Sequence, residues 1–162
     1  MKAFKIFSGL IFMLFVFSTC SKDEVDDEKP EIDLTVSGAF PQNCDTLYFG
    51  ETFTFKVLFT DNVELGSFSI DIHNNFDHHS HSTEVTECNL DDVKDPVNAY
   101  VSIDDYDIPE GVNTYEMLLG ITIPNSDSEG EFDEGDYHFF ISLTDKEGWS
   151  IQKGLSIKVL RR

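Results

Sequence analysis

The alternation of apolar and polar residues is the strongest local signal in the chain. Phe53, Phe55, Val57 and Phe59 occupy every second position, which gives an extended segment one apolar face. Ile32, Leu34 and Val36 repeat the pattern upstream, and Phe68, Ile70 and Ile72 repeat it downstream. Tyr115, Met117, Leu119 and Ile121 follow, then Tyr137, Phe139, Ile141 and Leu143, then an apolar-rich run from Trp149 to Leu160. With a shorter segment at 99–103, strands are expected at 31–37, 51–60, 66–74, 99–103, 114–123, 136–144 and 149–160. Turn-forming residues such as Asp61-Asn62 and Asp145-Lys146-Glu147-Gly148 separate them. No 3.6-residue stripe occurs after the first twenty residues. About seven strands in one domain over 31–162 predict an all-β chain, a single immunoglobulin-like antiparallel β-sandwich.

Outside that pattern lie two segments. The first is N-terminal: a basic start, an apolar run from Ile6 to Phe17, and the small residues Ser18-Thr19 before Cys20. The run is too short to span a bilayer and reads as a signal peptide over 1–19. Ser18-Thr19-Cys20 resembles the processing site of bacterial lipoproteins, which implies lipidation of Cys20 and a membrane partner reached through that lipid. Residues 20–30 are charged and read as a disordered acidic tether. Their start, Ser21-Lys22-Asp23-Glu24, resembles the export signal of Bacteroidota surface lipoproteins, implying exposure on the outer membrane. The second segment, 76–95, shows no alternation and reads as a long loop, a length that in compact domains often carries function.

A net charge of −20 excludes nucleic acid and anionic lipid surfaces as partners, because both need a basic face. Besides Cys20 there are Cys44 and Cys88, and in an oxidising compartment two cysteines have one possible pairing, a Cys44–Cys88 disulfide.

The candidate chemistry sits where the third strand runs into the long loop. His73, His78, His79 and His81 are four of the five histidines and have the spacing H-x4-H-H-x-H. Neutral imidazole is the commonest transition-metal ligand near neutral pH, so the cluster points to Zn or Cu. The fifth histidine, His138, is near the start of the strand at 136–144. Alternation turns Phe68, Ile70 and Ile72 inward and His73 outward, and it turns Tyr137 and Phe139 inward and His138 outward. In an immunoglobulin-like sandwich these two strands are antiparallel neighbours, so His73 and His138 meet on one outer face. His73 and His138, held by strands, are the first expected ligands. His79 and His81 can ligate together if their segment is extended, with His78 then turned elsewhere. Asp71 and Asp77 are expected either as carboxylate ligands or as acceptors that fix a histidine tautomer.

Motifs of established enzyme chemistry are missing: there is no H-E-x-x-H, G-x-S-x-G or phosphate-binding glycine loop. The acidic run 127–134 lacks EF-hand spacing and reads as a solvated loop. Asp61-Asn62, the segment from Ile72 to His81, and Gly135-Asp136-Tyr137-His138 resemble the domain-of-unknown-function 4625 family of Bacteroidota lipoproteins. The resemblance spans roughly residues 30–160 and implies the fold and a surface location, with no activity attached. The expected function is non-catalytic metal binding or a metal-stabilised loop. The alternative is an adhesion or accessory module that contacts glycan or a protein partner, its histidines being incidental.

Overall fold

The computed structural model describes residues 26–162. The expected signal peptide, Cys20 and the first half of the tether lie outside the described residues. Eight strands follow one another: β1 (Glu31–Asp33), β2 (Thr46–Tyr48), β3 (Thr52–Thr60), β4 (Leu65–Asn74), β5 (Ser102–Asp107), β6 (Thr114–Thr122), β7 (Gly135–Asp145) and β8 (Ser150–Leu160). They form two sheets, β1-β3-β6 and β2-β8-β7-β4-β5. The alternating apolar positions fill the space between the sheets. Phe55, Val57 and Phe59 of β3 bury against Phe68, Ile70 and Ile72 of β4 and Phe139, Ile141 and Leu143 of β7. Phe55 packs on both Phe68 and Phe139, with ring centroids 6.3 and 5.7 Å apart.

Several boundaries depart from the alternation. The first strand stops at Asp33 because Asp33 Oδ1 accepts from Thr35 N and Oγ1, both at 2.7 Å, which bends the chain out of the sheet. β2 is only three residues long, too short to alternate, and pairs with β8 in parallel, an exception to the expected antiparallel pattern. The strand expected at 99–103 lies at 102–107 instead. It is an edge strand bonded only to β4, so it needs little apolar content: Ile103 stays exposed and Tyr106 stacks on Phe68 at 4.8 Å. Tyr100, expected in that strand, is buried ahead of it and donates its N–H to Tyr137 Oη at 3.2 Å.

Tyr137 ties the loops to the core. Its hydroxyl donates to Asp133 O at 2.6 Å while accepting from Tyr100 N, a closure of the tyrosine-corner kind. Burial pushes its pKa up to about 12, chiefly by desolvating the phenolate.

The tether is not wholly solvated as expected. Asp26 and Pro30 are buried, and Trp149 Nε1 donates to Asp26 O at 3.2 Å.

Candidate metal centre

The register of β4 and β7 pairs His73 directly with His138. On the same outer face Asp71 lies two residues before His73, Phe140 two residues after His138, and Gly154 of β8 opposite Phe140. The chain from Asn75 to Val101 contains no strand and crosses this face as a flap. Backbone groups fix its path. Asn75 N donates to Asp136 O at 2.8 Å, Lys94 N to Phe76 O at 3.0 Å, and Thr83 N to Gly154 O at 3.0 Å. A disulfide joins Cys88 to Cys44, with Cα atoms 5.3 Å apart, and holds the far side of the flap against the strand pair β2–β8.

His78 sits at the reversal that starts the flap. Its φ is 58° and its N–H donates to Asn75 O at 3.2 Å. A histidine tolerates this left-handed conformation better than a branched residue would. The reversal leaves His78 out of the cluster and sends His79 and His81 back over His73. Those three residues, His73, His79 and His81, each offer a nitrogen within 4.8 Å of the other two. The rings of His73 and His79 are nearly parallel at 5.7 Å, and the ring of His81 stands edge-on to both, at 5.6 and 4.6 Å.

Carboxylates orient two of the three rings. His73 Nδ1 lies 2.8 Å from Asp71 Oδ1, and His79 Nδ1 is hydrogen-bonded to Asp77 Oδ1. A proton on each Nδ1 leaves Nε2 as the free lone pair, the usual arrangement behind a metal-binding histidine. The bond from His79 also holds the Asp77 carboxyl below its ordinary range. Asp71 and Asp77 are thus placed as acceptors behind the Nδ1 atoms of His73 and His79. The nitrogens His73 Nε2 and His81 Nδ1 are 3.4 Å apart. Two imidazole nitrogens on one tetrahedral Zn²⁺ are about 3.3 Å apart, given bonds of 2.0–2.1 Å. The pair is thus already spaced for a shared ion.

His138 has a different place from the one expected. It is 1% exposed, because the flap covers it, and its Nε2–H donates to His79 O at 3.1 Å. The ring stays 5.0–5.5 Å from the other three, measured between centroids. Burial lowers its pKa, the three neighbouring imidazoles push the same way, and the bond to His79 O opposes them. His138 thus lies buried under the flap beside the triad, and its nitrogens are not among the three that converge. Its Nδ1 is buried without a hydrogen-bond partner. A cleft of about 380 Å³ runs along this side of the flap, lined among others by His78, His79, Glu84 and His138.

Two residues of the site escape any reading based on donor chemistry. Phe140 supports the triad with its ring 6.1 Å from that of His73 and 5.7 Å from that of His81. Gly154 lets the flap close: a Cβ there would collide with His81 O and lie 2.9 Å from Phe140 Cζ. A glycine inside a strand marks such close approaches, and that signal was present in the sequence.

The fold and site together define a class, a two-sheet β-sandwich with a carboxylate-oriented histidine triad capable of holding a metal ion. The chain belongs to the family described as Domain of unknown function (DUF4625), whose sequence pattern matches residues 17–160. No curated protein matches it. Among solved structures it is similar to the sporulation control protein Spo0M from Bacillus subtilis, at 10% identity and a TM-score of 0.38. That likeness covers 83% of this chain and 49% of the other, so the chain spans about half of Spo0M's length. A likeness of that degree fixes neither fold nor function.

Proposed function

We propose that this protein is a surface-tethered lipoprotein that binds one Zn or Cu ion without catalysing a reaction, on His73, His79 and His81. The carrying observation is the convergence of three imidazoles whose Nδ1 protons, in His73 and His79, are already held by Asp71 and Asp77. Imidazole donors without a thiolate suit Zn and Cu, and carboxylate acceptors behind them raise ligand basicity. The ion would close the flap onto the sheet, adding to the disulfide and the Thr83–Gly154 contact. Lipid on Cys20 would place this centre at the outer face of the outer membrane, where binding would serve metal capture or stabilise the flap for a surface partner.

Metal analysis of the purified full chain tests the reading. About one Zn or Cu per chain is expected. His73→Ala and His81→Ala should each abolish it, while His78→Ala should leave it unchanged. Equal metal content in all four proteins would refute the site. A chain that binds neither ion but retains a glycan or protein partner would favour the adhesion module instead.

A further inference from the structure

A second group of ligand-like residues lies at the other end of the sandwich. Asp61 follows the last residue of β3, Asp145 ends β7, and Asp26 belongs to the segment leading into β1. Each offers a carboxylate oxygen within 4.8 Å of the other two. Asp26 and Asp145 are only 7% and 4% exposed. Carboxylates this close and this dry repel one another unless a positive charge joins them. Among the described residues no lysine, arginine or histidine makes an ion pair with any of the three.

The hydrogen bonds divide each carboxylate in two. Asp26 Oδ1 accepts from Glu28 N at 3.1 Å, Asp61 Oδ2 accepts from Val63 N and Glu64 N at 2.8 Å, and Asp145 Oδ1 accepts from Gly148 N at 2.7 Å and Trp149 N at 2.9 Å. These bonds fix the orientation of all three side chains. The remaining oxygens, Asp26 Oδ2, Asp61 Oδ1 and Asp145 Oδ2, are buried and accept nothing. Buried acceptors without partners are rare in folded proteins, and three aimed into one cluster point to a cation as their common partner.

We infer that Asp26, Asp61 and Asp145 form a Ca²⁺ site that clamps the tether to the base of the sandwich. The donors are all hard oxygens, with no imidazole or thiolate among them, which separates this site from the histidine centre. Ca²⁺–oxygen distances of 2.3–2.6 Å allow two ligands on one ion to be up to about 5 Å apart, which accommodates this spacing, and Ca²⁺ takes all-protein carboxylate cages where Mg²⁺ keeps several waters. Along β7, Asp145 is seven residues beyond His138, which is about 23 Å in an extended strand, so the two centres are independent. Given the lipid on Cys20 proposed above, Asp26 is six residues from the anchor. Ca²⁺ binding would then shorten the free tether and set the histidine centre at a defined distance from the membrane.

The protein's single tryptophan reports on the site, since Trp149 touches both Asp145 and Asp26. The full chain in detergent, stripped with chelator, is titrated with CaCl₂ while Trp149 emission and heat are followed. A saturable change with one ion per chain and a Kd of roughly 10⁻⁴–10⁻³ M is expected, as in other extracellular modules. Asp61→Asn and Asp26→Asn keep the turn-forming acceptors and should weaken binding about tenfold or more. Ca²⁺ should also slow proteolysis between Asp26 and Glu31 in the wild type and not in Asp26→Asn. His73→Ala should leave the titration unchanged, so failure of the histidine centre and failure of this site are distinguishable. Absence of a saturable response up to about 10 mM Ca²⁺, or wild-type affinity in both Asn variants, would overturn the inference.

Discussion

Gly154→Ala adds one methyl group where the flap closes on the sheet, and its consequences follow from the surrounding distances. The new Cβ would collide with His81 O and lie 2.9 Å from Phe140 Cζ. Carbon atoms pack at about 3.5–4.0 Å, so the flap has to retreat by about 1 Å. β8 cannot yield, because it is bonded to β7 on one side and β2 on the other. A retreat of that size lengthens Thr83 N–Gly154 O and Gly154 N–Thr83 Oγ1, now 3.0 and 3.1 Å, beyond hydrogen-bonding range. Two such bonds contribute about 1–3 kcal/mol to holding the flap. The same movement takes His81 Nδ1 from 3.4 Å to more than 4 Å from His73 Nε2. Nitrogens on one Zn²⁺ cannot be more than about 4.2 Å apart even when opposed. The triad then loses His81, and Zn²⁺ affinity should fall about 100-fold. Competition with a chromophoric chelator measures the affinity, and far-UV circular dichroism checks that the sandwich is intact. Affinity within about threefold of wild type would show that the flap is not held by this contact, or that His81 is not a ligand.

Other perturbations separate the parts of the structure. Asp71→Asn replaces the carboxylate behind His73 Nδ1 by a neutral amide acceptor and should lower metal affinity about 10-fold without altering thermal unfolding of the metal-free chain, both read by calorimetry. Replacing Cys44 and Cys88 together by serine releases a cross-link between residues 44 apart in sequence, which in the chain-entropy model stabilises by roughly 4 kcal/mol; lowered denaturation midpoints and cleavage within the flap are expected. Tyr137 has a folded pKa raised from 10.0 to about 12, so its contribution is complete below pH 10 and is lost as pH rises toward 12. About 2–3 kcal/mol should disappear across that window in alkaline unfolding curves, and Tyr137→Phe should flatten the curve while lowering stability at neutral pH.

The alternation of the chain determined the two-sheet architecture, because side chains of a strand face opposite ways and only one set can be buried. It also determined that His73 and His138 share an outer face, since their strands are antiparallel neighbours and each inward set was unambiguous. The strand boundaries were legible only where alternation was long. β2 and β5 were not, because three residues cannot alternate and an edge strand does not require an apolar face.

The membership of the metal centre was decided by tertiary structure. The spacing offered His79 and His81 as a pair with His78 turned elsewhere only if their segment was extended, and the left-handed turn at His78 makes that division. His138, equal to His73 by register, is buried with its Nε2–H on a backbone carbonyl of the flap, and its nitrogens fall outside the converging set. The acidic site is the clearer case: Asp26, Asp61 and Asp145 come from three distant segments, and no spacing connects them. Periodicity encodes which way a residue faces within its own element. Convergence of side chains from separate elements depends on nonlocal hydrogen bonds, such as Asn75 N to Asp136 O, that have no local signature in the chain.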